Sequence, residues 1–177
     1  WLHQPFYIGG HSKGGNLAMY AASSIGKRTQ SRIKAVYDYD GPGFRGDFLK
    51  SEGYLNMLPR IFTYVPQSSV VGMLLAHEEP YQVVESTNVG LLQHDPYSWN
   101  VLGKEFALLD DVDNMSQYTS QTLHSWIDGL SDEQRELFVE NVYNIISESQ
   151  AETLSDLVKP ANFHLIMKAL SSASSQT

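Results

Sequence analysis

One stretch near the start of the chain restricts the fold more than any other: Phe6-Tyr7-Ile8-Gly9-Gly10-His11-Ser12-Lys13-Gly14-Gly15-Asn16-Leu17-Ala18. A short apolar run stops at two glycines, a serine stands between further glycines, and small residues at helical spacing follow. Gly10-His11-Ser12-Lys13-Gly14 has the G-x-S-x-G form, in which a strand turns sharply into a helix and presents a serine at the turn. That serine takes a strained backbone conformation, so its neighbours must be nearly free of side chains if strand and helix are to approach. Gly10 and Gly14 meet the requirement, and Gly9 and Gly15 extend it. Ala18, Ala21 and Ala22 let the helix lie close on a sheet. The pentapeptide alone is weak evidence, and its bland alternative is a Gly-rich turn before a helix. The strand before it and the helix after it supply the context.

The bulk numbers describe one ordinary soluble domain: 177 residues, 42% hydrophobic and 18% charged. A net charge of −8 argues against a nucleic-acid partner, because phosphate binding needs a basic face. No apolar run approaches the length of a membrane span. Cys is absent, which removes disulfide and thiolate chemistry. No histidine or carboxylate group has metal-ligand spacing, and no cofactor is expected. A cytoplasmic location is expected. The chain begins with Trp1 and the elbow follows almost at once, whereas an elbow strand normally lies in the middle of its sheet. The expectation is therefore the C-terminal part of a longer protein. Alone it would pair with a missing N-terminal half or form a homodimer through the uncovered strand edge.

In order, the elbow helix runs to about Ile25 and stops at Gly26. Strands are expected over 33–39, 60–65 and 81–86, with helix and loops between Gly46 and Leu58. Asp40-Gly41-Pro42-Gly43 breaks the chain after the second strand. From about Lys104, Phe106, Leu109, Val112, Met115 and Leu123 fall at helical intervals and predict a long helix to about Asp128. Ser131-Asp132-Glu133-Gln134 reads as a capping box opening another helix. The division is thus an α/β core over 1–102 and a helical segment over 103–177.

A serine hydroxyl needs a base in reach and a third group that orients the base. In the α/β-hydrolase order the acid follows the serine and the histidine follows the acid. His94, in the loop after the strand over 81–86, takes the position of the base. His3, His11, His77, His124 and His164 fall elsewhere; His11 is inside the elbow and is expected to point away. The usual slot for the acid, Pro66-Gln67-Ser68-Ser69, contains no carboxylate. Asp40, ending the strand next after the elbow, is the best substitute; Asp95, Glu78 and Glu79 are weaker, and Asp95 suits a capping role. Asp40 has its own bland reading as a turn residue. The oxyanion hole takes one donor from the Lys13 backbone N–H, and the other from a loop upstream of this chain.

Gly9-Gly10-His11-Ser12-Lys13-Gly14-Gly15-Asn16-Leu17-Ala18 resembles the elbow of a bacterial α/β-hydrolase family of unknown function, distantly similar to class 3 lipases. Asp40-Gly41-Pro42-Gly43-Phe44, the run from Val65 to Leu75, and Gln93-His94-Asp95-Pro96-Tyr97-Ser98-Trp99 are similar to its other signatures, as are Trp126-Ile127, Leu130-Ser131 and Arg135 in its helical tail. The resemblance implies a serine hydrolase fold with Ser12 and His94 as nucleophile and base. The family's upstream half has no counterpart here, and class 3 lipases carry an acid near the position of Ser68. The expected fold is the C-terminal half of an α/β hydrolase with an α-helical tail. The expected activity is hydrolysis of a lipid or other small-molecule acyl ester. The alternative is a non-catalytic hydrolase-like module that binds a ligand or a protein partner.

Overall fold

The computed structural model describes residues 4–112 and positions 129, 131, 133 and 134. In order these are β1 (Phe6–His11), α1 (Lys13–Ser24), α2 (Lys27–Gln30), β2 (Ile33–Tyr39), α3 (Gly46–Leu49), α4 (Glu52–Met57), β3 (Ile61–Pro66), β4 (Tyr81–Val84), β5 (Val101–Leu102), β6 (Glu105–Phe106) and β7 (Leu108–Leu109). The main sheet has the order β1-β2-β3-β4-β7. β1 to β4 run parallel, and β7 is antiparallel to β4. This is an α/β fold with a mostly parallel, mixed sheet. Among the described residues β1 and β7 are its edge strands.

Alternation along each strand decides which face is covered. Val36 and Asp38 on β2, and Ile61, Thr63 and Val65 on β3, are buried, while Tyr37 and Tyr64 between them are half-buried and Phe62 is exposed. The covering helices are α1 and α4. Ala18, Met19 and Ala22 of α1 and Tyr54 and Met57 of α4 join Ile33, Val36 and Ile61 in one core. The opposite face carries a row of touching rings. Tyr37 lies 6.3 Å from Tyr7 and 5.6 Å from Phe62, and Tyr39 lies 5.7 Å from Tyr64.

The close approach of β1 and α1 follows from glycine, though the pair of glycines differs from the expected one. A Cβ on Gly10 would stand 2.4 Å from the Gly14 carbonyl carbon, and one on Gly15 would stand 1.8 Å from Asp38 Oδ1. A Cβ on Gly14 would meet nothing within 4 Å. Gly10 and Gly15 are therefore the sterically required positions.

The helix expected from about Lys104 does not begin there. Gly103, at φ 70°, opens a two-residue turn that pairs β5 with β6. Ala107 N–H then donates to Asn100 O at 2.9 Å, and Glu85 N–H donates to Ala107 O at 2.8 Å. Residues 103–109 thus continue the β structure, and the boundary expected after residue 102 falls inside a hairpin. Phe106 joins Tyr39, Tyr64 and Trp99 in one aromatic cluster.

The chain divides into two compact units, Trp1–His124 and Ser125–Thr177. In the second, Ser131 forms the expected capping box: its N–H donates to Gln134 Oε1 at 2.8 Å, and its Oγ accepts from Gln134 N–H at 3.3 Å. The other helices expected beyond Val112 lie outside the described residues.

Candidate active site

Three strand ends bring the expected residues to one end of the sheet. β1 runs into Ser12, β2 runs into Asp40, and the loop after β4 carries His94. Ligand sites in parallel sheets lie outside the carboxyl ends of the strands. Ser12 stands at φ 57°, ψ −130°, between the last residue of β1 and the first of α1. That is a strained conformation for a residue with a Cβ. Its N–H donates to Tyr39 O at 2.9 Å, one last rung of the ladder between β1 and β2. Its carbonyl accepts from Gly15 N–H at 2.9 Å and starts the helix. A Cβ on Gly41 would stand 2.6 Å from that carbonyl oxygen, so the Asp40 turn packs directly on the elbow.

Asp40 is fully buried and also has positive φ, 52°. Its Oδ2 accepts from His94 Nδ1 at 2.6 Å. Its Oδ1 accepts from Ser69 Oγ at 2.5 Å and from Gly72 N–H at 3.0 Å. The segment at 66–69 that lacks a carboxylate therefore supplies a hydroxyl donor to Asp40 instead. No local sequence signal points to it, because Ser69 lies 29 residues from Asp40 along the chain. Gly72 has a matching constraint, because a Cβ there would stand 2.3 Å from Asp40 Oδ1.

Nδ1 of His94 is committed to Asp40, which leaves Nε2 as the nitrogen for other work. Among the described residues no hydrogen bond joins Ser12 Oγ to His94. His11 does not point away as expected. Its ring lies 4.5 Å from the His94 ring, centroid to centroid, and its Nε2–H donates to His94 O at 2.7 Å. Asp95 caps the turn after His94 through Tyr97 N–H at 3.0 Å. Gln93, almost fully buried, braces the loop: its Oε1 accepts from Ser68 N–H at 2.8 Å and its Nε2 donates to Asn88 O at 2.8 Å.

Lys13 opens α1, so its N–H has no partner within the helix. The Lys13 ammonium turns to Asn16 Oδ1 at 2.6 Å. Asn16 in turn donates to Pro42 O and Gly43 O at 2.9 and 3.0 Å, tying the helix to the loop after Asp40. Of the remaining histidines, His3, His124 and His164 lie outside the described residues.

A second buried polar group lies beneath the elbow. Glu79 accepts from Tyr54 Oη, from Thr63 Oγ1 at 3.0 Å and from His77 Nδ1 at 2.8 Å. Glu79 and His77 are thus occupied with each other and not with Ser12. Burial pushes the Glu79 carboxyl up, but hydrogen bonding and charge from His77, with the Tyr54 hydroxyl, hold it below the usual range. The same burial, with Glu79, raises the Tyr54 phenol. Both Asp38 oxygens and His77 Nε2 are buried without a hydrogen-bond partner among the described residues. Burial pushes Asp38 up to about 7, against the pull of His77 and with the push of Glu79 and Asp40; the nearby Gly41 amide favours the ionised form slightly without reaching hydrogen-bond geometry.

Among the described residues no cluster of histidines and carboxylates is placed to hold a metal ion. No described helix is long and apolar enough to cross a membrane. No curated protein and no solved structure matches the chain. A family model, Mbeg1-like, matches residues 1–144. The chain belongs to the Mbeg1-like family.

Proposed function

We propose that the protein is a serine hydrolase of carboxylic esters. Ser12 Oγ attacks the ester carbonyl carbon, and His94 Nε2 takes the hydroxyl proton as the new bond forms. Asp40 holds the Nδ1–H of His94, which sets the tautomer and stabilises the imidazolium. The Lys13 N–H faces the oxyanion as one donor of the hole. The C–O bond to the alcohol then breaks, His94 returns the proton to the leaving oxygen, and water repeats the sequence to release the acid. A lipid or other acyl ester is the proposed substrate class, on the resemblance to lipase-like sequences.

The observation that carries this reading is the His94 Nδ1–Asp40 Oδ2 bond of 2.6 Å, with a buried carboxylate, beside a serine at φ 57°. A carboxylate used only to cap a turn would not need a histidine from a loop 54 residues on. The missing contact between Ser12 Oγ and His94 favours the rival, a non-catalytic module that binds a ligand or partner. Such contacts are often loose in an empty site and tighten when substrate binds. Labelling with a fluorophosphonate probe decides between the two. The wild-type protein should label covalently and hydrolyse a short ester, and Ser12→Ala should do neither. A wild-type protein that folds but takes no label would leave the binding module as the better reading.

A further inference from the structure

His94 ends a single 3₁₀ turn, Gly90–His94, in the long connection between β4 and β5, and a base outside the sheet must be anchored to a rigid element if its geometry is to hold. Asp40 anchors the ring at Nδ1. The backbone of the same residue is anchored by His11, the last residue of β1 and the immediate neighbour of Ser12. We propose that His11 is a positioning residue for His94: its Nε2–H grips the His94 carbonyl while its ring backs the His94 ring, coupling the base loop to the elbow strand. The proposal rests on the serine-hydrolase reading for its effect on turnover.

Hydrogen-bond chemistry settles the tautomer. A carbonyl oxygen only accepts, so the 2.7 Å contact places the proton on His11 Nε2. Burial lowers the tendency of His11 to take a second proton; the bond to His94 O and the carboxylates of Asp40 and Asp95 oppose this, and the charge of His94 reinforces it. The net direction is downward. His11 therefore stays neutral at neutral pH. That matters when His94 takes the serine proton, because a second cation with its ring centroid 4.5 Å away would oppose the imidazolium. A neutral ring tilted by 38° against it does not.

Three substitutions separate the two contacts. His11→Phe keeps a ring and loses the donor, His11→Gln keeps a donor and loses the ring, and His11→Leu loses both. With a short p-nitrophenyl ester, kcat of His11→Leu should fall about 5- to 100-fold, from the usual strength of one hydrogen bond and one aromatic pair. KM should stay within about twofold, because no contact with substrate is removed. Phe and Gln should each recover part of the loss. By proton NMR the low-field Nδ1–H resonance of His94 should be sharp in the wild-type protein and broadened in His11→Leu, with thermal melts confirming the fold. Wild-type kcat in His11→Leu, with an unchanged His94 resonance, overturns the proposal. If His11→Leu does not fold, Phe and Gln decide: both at wild-type kcat with an unchanged resonance overturns it equally. If the wild-type protein takes no fluorophosphonate, the hydrolase reading fails. The His94 resonance still shows whether His11 holds that loop.

Discussion

Asp38→Asn isolates the buried carboxyl beneath the elbow. Asp38 is 0% exposed and neither oxygen has a hydrogen-bond partner among the described residues. Gly15 and Gly41 close over it so tightly that a Cβ on either would stand 1.8 or 2.2 Å from Oδ1. Burial raises its pKa from 3.8 to about 7. The unfolded chain loses this proton near pH 4, while the folded protein keeps it to about pH 7. Between those limits the folded state binds more protons, so stability falls as pH rises, and it levels off above pH 7. A shift of about three units corresponds to about 4 kcal/mol across the window. Asn has the same shape and no charge to bury, so the variant loses this dependence. Other carboxylates change the stability of both proteins with pH, so the difference between the two is the quantity to read. Urea unfolding at half-unit steps from pH 4 to 8 should show Asp38→Asn close to wild type at pH 4 and more stable by about 2–4 kcal/mol at pH 8. Parallel curves, with a difference constant within about 0.5 kcal/mol, would refute the account of a buried neutral acid.

Asp40→Asn should fold normally and lower kcat for ester hydrolysis by about 10⁴-fold, because the amide no longer selects the Nδ1–H tautomer of His94. Asp95→Asn, measured beside it, should change kcat little, since Asp95 only caps the following turn. Gly15→Ala should cost about 1–3 kcal/mol in urea unfolding through the clash with Asp38 Oδ1. Gly14→Ala, which meets nothing within 4 Å, should be neutral or stabilising by up to about 1 kcal/mol. Equal losses at the two positions would contradict the assigned packing of β1 against α1.

The parallel core was legible because each strand carries its own signal. The apolar run before Gly9-Gly10, the alternation over 33–39, and the β-branched and aromatic residues before Pro66 each mark a strand. The contact of Asp40 with His94 was legible only by position, as Asp40 ends a strand beside the elbow. Nothing local marks Ser69 and Gly72 as its donors, because they arrive from 29 and 32 residues away. His11 was misread for a related reason. Its place inside the elbow says nothing of its partner, the backbone of His94, which is 83 residues on. The hairpin at 101–106 was missed because Phe106, Leu109 and Val112 stand three residues apart, a helical spacing, while strands of two residues are too short to show an alternation of their own. Gly103 was the discriminating residue, since its positive φ starts a turn that a helix cannot contain.

Three described residues other than glycine have positive φ: Ser12, Asp40 and Leu75. Each such conformation costs on the order of 1–3 kcal/mol and persists only where surrounding bonds enforce it. For Ser12 and Asp40 the enforcement is the same device repeated on adjacent strands. Ser12 N–H donates to Tyr39 O on β2, and Asp40 N–H donates to Tyr64 O on β3, at 2.9 and 2.8 Å. Each strand thus makes one more rung of its ladder and then turns away with the side chain held at the sheet's end. Glycine would make either turn at lower cost. The presence of a hydroxyl at one and a carboxylate at the other therefore points to a use for the side chains themselves. Asp40 shows what that use is on its own side, with His94, Ser69 and Gly72 all donating to it. Leu75 obeys the same steric rule without polar chemistry. It is held between Leu74, whose carbonyl accepts from Gly43 N–H at 2.9 Å, and Ala76, which pairs with Phe44. Its side chain lines an open groove with Leu17, Phe44 and Phe48. The strain is thus spent at the two proposed triad positions and at one apolar position, and the two polar ones stand at one end of the sheet, where His94 is bonded to Asp40.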